Sequence, residues 1–110
     1  MKKDESFKDY IVYDILSSFE NITIKRMFSG WGIFWHGVIV GFVANGEFYT
    51  KGNKAIRLRL EQEGSHPFTY EKTTGKTYEM MYFSVPEEIF ENPEKMRERL
   101  EEAFEISKLK

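Results

Sequence analysis

No cysteine occurs anywhere in the 110 residues. Its absence excludes disulfides, thiol nucleophiles and the cysteine-based zinc and iron–sulfur sites together, and it is compatible with a reducing compartment. Long apolar runs are missing as well. The longest, VIVGFVA from Val38 to Ala44, falls far short of the roughly 20 residues that a membrane helix needs. The opening MKKDESFKDY lacks the apolar stretch of a signal peptide, so the cytoplasm is the expected location. Histidine is scarce: His36 and His66 each stand beside a turn-forming glycine or proline, far apart in sequence. Zinc sites use closely spaced ligand pairs, so both read as turn residues and no metal is expected.

Catalytic templates are missing too. There is no Gly-x-Ser-x-Gly, and SGWG at Ser29 to Gly32 has the wrong order for a nucleophile elbow. The glycines match neither a Walker loop nor a dinucleotide fingerprint, because GWGIFWHG leads from one strand pattern to another and not into a helix. The acid pairs Glu87-Glu88 and Glu101-Glu102 are sequence neighbours. Adjacent helical residues point to different sides, which argues against a shared acid/base site. A non-enzymatic protein without a cofactor is expected.

What is present is material for a core. Apolar residues make up 41% of the chain and aromatics 16%, enough to offset the conformational entropy of folding. The length suits one domain over residues 1–110. The net charge is −2, unevenly spread: residues 1–24 sum to −2, 25–59 to +5, 60–84 to −2 and 85–110 to −3. The basic middle carries Lys25, Arg26, Lys51, Lys54, Arg57 and Arg59 against the single acid Glu47. Such clustering marks either solvated edges of a sheet and helix or a surface that attracts an anionic partner.

Phe7, Ile11, Ile15 and Phe19 recur every four positions, flanked by Tyr10 and Leu16; the spacing predicts a helix from about Glu5 to Phe19, capped by Asp4. From Ile22 the pattern turns to β-branched and aromatic runs, with His36-Gly37 and Asn45-Gly46 each separating two of them by two residues. A four-stranded antiparallel meander over Ile22 to Lys51 follows. Ser29-Gly30 would make the first turn, Gly32 a bulge or close backbone approach, and Gly37 the next turn. Asn53 predicts the cap of a short helix with Ile56 and Leu60 on one face and Lys54 and Arg57 on its exposed side, closed by Gly64. Two further strands flank a turn at Thr73, Thr74 and Gly75, and the second alternates Tyr78, Met80, Tyr82 with Glu79, Met81, Phe83. With large groups on both faces it should be central or covered. Asn92 and Pro93 open a last amphipathic helix with Met96, Leu100, Ala103 and Phe104.

The stretches KRMFSGWGIFWHG, VANGEFYTKG, PFTYEKTTGK and MMYFSVPEE, in that order, resemble the N-terminal domain of the TfoX/Sxy competence-regulator family. That family has a basic-Arg-Met-Phe-Gly-Gly-x-Gly start, an Asp-Gly-x-Leu-Tyr-x-Lys hairpin, a Pro-Phe-x-Tyr strand and a Met-x-Tyr-x-x-Pro-Glu exit. The similarity covers about residues 5 to 107. Ser29 stands at the first family glycine, Asn45 replaces the usual Asp, and Met81 stands where a small Ser is common and would enlarge an apolar surface. The resemblance implies an α+β fold: a two-layer domain with a mostly antiparallel sheet of five to six strands, an N-terminal helix, a short middle helix and a C-terminal helix packed against it. From its length, a single such domain without the family's C-terminal one is expected. Two-domain members regulate natural transformation genes through the cyclic-AMP receptor protein.

Three functions are open on these residues. A regulatory or adaptor protein would act by protein contact through its sheet or the Met27-Phe28 corner, with a transcription regulator or a second copy as partner, and would tolerate charge reversal at Arg57 and Arg59. A nucleic-acid binder would use Lys25, Arg26, Lys51, Lys54 and Arg57, with stacking from among Phe28, Trp31, Phe34, Trp35, Phe48 and Tyr49. A small-ligand domain would line a pocket with Tyr49, Tyr70 and Tyr82. The first is favoured, with Lys25, Arg26, Met27, Phe28, Gly30, Gly32, Lys51, Lys54 and Arg57 as the candidate interaction residues.

Overall fold

The computed structural model describes residues 2–27 and 30–109, with side chains from residue 5 onward. Helix α1 spans Lys2–Asp9 and passes into a π-helical turn over Tyr10–Ile15. Six strands follow: β1 (Ile22–Met27), β2 (Gly30–Trp35), β3 (Val38–Ala44), β4 (Glu47–Lys51), β5 (Pro67–Glu71) and β6 (Thr77–Ser84). Helix α2 (Lys54–Gln62) lies between β4 and β5, and α3 (Glu87–Phe90) and α4 (Pro93–Lys108) close the chain. The fold is α+β, and its strands form one antiparallel sheet in the order β1-β2-β3-β4-β6-β5.

Most local signals hold. His36 and Asn45 take φ of 53° and 54°, and the glycines after them 81° and 75°, so both two-residue hairpins use the left-handed pairs that match strand twist. Asn53 accepts a hydrogen bond from the Ile56 N–H and Asn92 from that of Lys95, capping α2 and α4 as their spacing implies. Strand β6 is central, between β4 and β5.

The first helix differs. Asp4 falls within α1 instead of ahead of it. The α-helix ends at Asp9, and the Leu16 N–H reaches back to the Ile11 carbonyl at 2.8 Å. That bond spans five residues and widens the turn. The extra residue brings Leu16 into the core beside Ile11, while Phe19 leaves the helix and packs edge-on against Trp35 at 5.3 Å. Of the two readings of Gly32, a bulge or a close backbone approach, the bulge falls elsewhere, between Ile33 and Phe34, where β3 carries Val40 as the additional residue.

One core cluster joins helix residues Ile11, Leu16, Met96, Leu100 and Ala103 to sheet residues Ile33, Trp35, Val40 and Phe48. A second consists of strand residues alone: Phe42, Ala44, Tyr49, Phe68 and Tyr82, with Met80 against it. Successive side chains on a strand point to opposite faces, so the helices cover one face and the second cluster lies on the other. Arg99 of α4 is buried and donates to the Ser84 carbonyl and to Ser65 Oγ. It pins α4 to the place where β5 and β6 begin and end.

Gly41 sits within this pairing, and a Cβ there would lie 2.0 Å from the Tyr49 carbonyl oxygen. A backbone atom cannot step aside, so Gly41→Ala should cost roughly 3 kcal/mol. Gly46→Ala, with open space around it but a φ of 75°, should cost about 1 kcal/mol. Urea denaturation of the two variants checks the order; equal costs would refute the close approach.

Candidate interaction face

The uncovered face is built by alternation. Lys25 and Met27 of β1 point to it, since their register partners Gly32 and Gly30 lie on the strand positions shared with Phe34 and Phe42. Gly32 seats Met27: a Cβ at that glycine would lie 2.3 Å from the Met27 sulfur and 3.2 Å from the Phe34 ring. Further across, Phe42 stacks on Tyr49 at 5.2 Å and meets Tyr82 at 4.8 Å and Phe68 edge-on at 4.9 Å. Phe42 and Phe68 are three strand positions apart in the sheet, about 14 Å if the sheet were flat. Contact at 4.9 Å therefore means that the two rings lean towards each other across the intervening strands, with twist of the sheet closing the rest. Phe68, Tyr70 and Tyr78 continue the aromatic row as stacked neighbours at 6.4 and 5.8 Å, and Tyr70 and Tyr78 stay 38% exposed.

The basic residues divide between the two faces. Lys25 is exposed on the open face, and Lys51 lies there with its ammonium 4.8 Å over the Tyr82 ring. Arg26 faces the helical side, its guanidinium 4.8 Å over Trp31, whose ring Lys8 also approaches at 4.6 Å. Lys54 is exposed on α2. Arg57, on the same helix, grips Glu79 through two nitrogens at 2.8 and 3.2 Å and Glu61 through Nε at 2.8 Å. These bonds raise the Arg57 pKa and lower that of Glu79. Arg59 is tied to Glu102 and Glu63. The +5 segment thus forms no single patch. Gly30 belongs to the framework, since a Cβ there would meet the Val43 carbonyl, and Phe28 lies outside the described residues, as does the Ser29 half of the first turn.

Of the aromatics proposed for stacking, Trp35, Phe48 and Tyr49 are buried. Composition pointed away from the residues that are exposed: Lys72, whose ammonium sits 4.8 Å over Tyr78, belongs to a segment of net charge −2. Met81 alternates to the helical side and adds nothing to the open face. Nor do Tyr49, Tyr70 and Tyr82 share a pocket. A groove of about 660 Å³ at one end of the face is lined by Tyr82 with Phe34, Ile39 and Lys51 and by the end of α4, but by neither of the other tyrosines.

At the opposite end of β4 the Tyr49 hydroxyl donates to Glu47 at 2.7 Å, and His66 Nε2 lies 3.0 Å from the same carboxylate oxygen. Burial, then the Glu47 carboxylate, pushes the Tyr49 pKa up, so the phenol remains a donor and offers no base or nucleophile. Among the described residues no group of three or more His, Asp or Glu could hold a metal, and no helix is long and apolar enough to cross a membrane.

A curled antiparallel sheet with helices on one side and an aromatic, lysine-bearing face on the other defines an α+β domain that presents a surface. Residues 14–106 match the family model described as the TfoX N-terminal domain. The chain belongs to that family. It is 31% identical over 86 residues to the DNA transformation protein TfoX1 of Aliivibrio fischeri (strain ATCC 700601 / ES114), a match covering 77% of this chain and 40% of that protein.

His66 supplies a pH-dependent test. Partial burial opposes its charge, but Glu47 at Nε2 and the Pro67 carbonyl at Nδ1 outweigh it, and the net shift is upward from 6.5. Stability from this pair is therefore fully present below pH 6.5 and lost as pH rises through the folded-state value. An NMR titration of the ring should give a midpoint above 6.5 that Glu47→Gln lowers; an unchanged midpoint would remove the ion pair from the account.

Proposed function

We propose that this domain is a regulatory adaptor that works by protein contact through the open face of its sheet. The observation that carries this is the uncovered row of Met27, Phe34, Tyr70, Tyr78 and Met80, with the helices on the other side. Apolar and aromatic side chains left together at a surface mark a contact site. The arginines that nucleic-acid binding would draw on are engaged elsewhere: Arg57 and Arg59 on carboxylates, Arg26 over Trp31.

The relative's name joins that protein to DNA transformation, and this chain spans 40% of its length. We extend from it a role as the contact module of such a regulator, with a protein of the transcription machinery or a second copy as the partner class. Residues 1–110 are taken as one such module, working in the cytoplasm.

Photocrosslinking in the native host tests this. Benzoylphenylalanine at Tyr78, on the open face, should give discrete protein adducts, whereas at Tyr13, 64% exposed on the helical side, it should give none. Arg57→Gln with Arg59→Gln should leave the adducts unchanged. Adducts from Tyr13 alone would sink the proposal. So would tight binding of random-sequence DNA by the purified protein, with affinity falling by about one log unit per log unit of salt for each phosphate contacted.

A further inference from the structure

We propose that the open face takes an acidic protein segment whose apolar anchor seats in the groove beside Lys51 and Tyr82. The inference rests on the protein-contact function above and adds the chemistry of the partner. Its basis is a difference in how the two sides of the domain satisfy their charges. On the helical side most cations near the glutamates of α2 and α4 are paired, Arg57 with Glu61 and Glu79, Arg59 with Glu63 and Glu102, Arg97 with Glu101, Lys108 with Glu105, while Arg26, Lys54 and Lys95 carry no carboxylate pair among the described residues. On the open side Lys25, Lys51 and Lys72 have no carboxylate partner among the described residues. The acid of that face, Glu47, is already held by Tyr49 and His66.

Lys51 and Lys72 each rest over a tyrosine ring at 4.8 Å. A ring offsets part of the lost hydration of an ammonium but leaves its charge unneutralised. Three unmatched cations around an apolar surface complement acids flanking an apolar residue. The groove of about 660 Å³, lined by Phe34, Ile39, Lys51, Tyr82, Ser107 and Leu109, is of a size that admits an aromatic or large aliphatic side chain.

Single-stranded nucleic acid is the other polyanion such a face could meet, and the geometry disfavours it. Base stacking needs free ring faces. Here Phe42, Tyr49, Phe68 and Tyr82 are at most 7% exposed and packed on one another, while Lys72 lies over Tyr78. The lysines stand on β1, at the end of β4 and after β5, too scattered to track one backbone. Met27 and Met80, half-buried on this face, are soft groups suited to adapting to protein side chains.

The test is a selection from a phage-displayed random dodecapeptide library on the wild-type domain and on a Lys25→Glu, Lys51→Glu, Lys72→Glu variant, whose thermal melt confirms that it folds. The wild type should enrich peptides of clearly negative net charge with at least one aromatic or leucine. A selected peptide should perturb the amide NMR signals of Met27, Lys51 and Tyr78, and should bind the variant at least about tenfold more weakly, as expected for loss of close charge pairs. Neutral or basic peptides on the same face would overturn the charge inference and leave protein contact standing. Perturbations on the helical layer, no enriched peptide, or displacement of the peptide by oligothymidylate in a salt-steep manner would overturn both.

Discussion

The contact of Phe42 with Phe68 governs the shape of this domain. These rings belong to strands with two others between them, and they touch at 4.9 Å through the lean of both side chains and the bend of the sheet together. Strands in a twisted sheet supply part of that bend. The bulge opposite Val40 and the register shift between Pro67 and Phe68 supply more, since an unpaired residue tightens the local twist. Phe42 is 1% exposed on a face that carries no helix among the described residues, packed by Tyr49, Tyr82 and Phe68. The glycines are part of the same constraint, because Gly41 lets β4 approach β3 at the point where a Cβ would strike the Tyr49 carbonyl.

A face closed by its own aromatics cannot be closed completely. The curl hides the centre of the row and leaves its ends open, Tyr70 and Tyr78 at one and the groove by Lys51 at the other. The helical side has the opposite economy. Helices α2 and α4 bring Glu61, Glu63, Glu101 and Glu102 within reach of arginines, and Arg57, with its planar fork, also pairs at two points with Glu79 of β6. Arg57, Arg59 and Arg97 are paired there, whereas Lys25, Lys51 and Lys72 on the open side have no carboxylate partner among the described residues. Surface pairs of this kind stabilise the fold only slightly, so their larger effect is on where unneutralised charge is left.

Much of the fold was legible because it is written in short-range chemistry. Asn45-Gly46 can hardly be anything but a tight hairpin, and Asn53 and Asn92 cap the helices that begin after them. What was not legible depends on counting errors of one residue or on which face a strand presents. The π-turn adds one residue to a helix whose every-fourth pattern looked regular, burying Leu16 within it and leaving Phe19 to pack on Trp35 from beyond its end. Whether the basic segment made solvated edges or one surface stayed open, because charge summed along the chain does not say which face each residue takes. Alternation in β1 sends Arg26 and Lys25 to opposite faces, and α2 carries Lys54 and Arg57 to the helical side.

The opening motif shows how one residue serves both fold and surface. Gly32 was legible as a site of close approach, but the approaching group is the Met27 side chain and not a backbone. Because that thioether occupies the space of the missing Cβ, Met27 lies flat on the sheet, half-buried between Gly32 and the Phe34 ring. A flexible group can move aside at small cost, unlike the Tyr49 carbonyl at Gly41. The absence of a side chain at Gly32 therefore matters less to stability than to relief: it lets the soft, polarisable Met27 thioether lie low on the open face. Folding alone would accept an alanine there with Met27 displaced, whereas a docking surface would change shape.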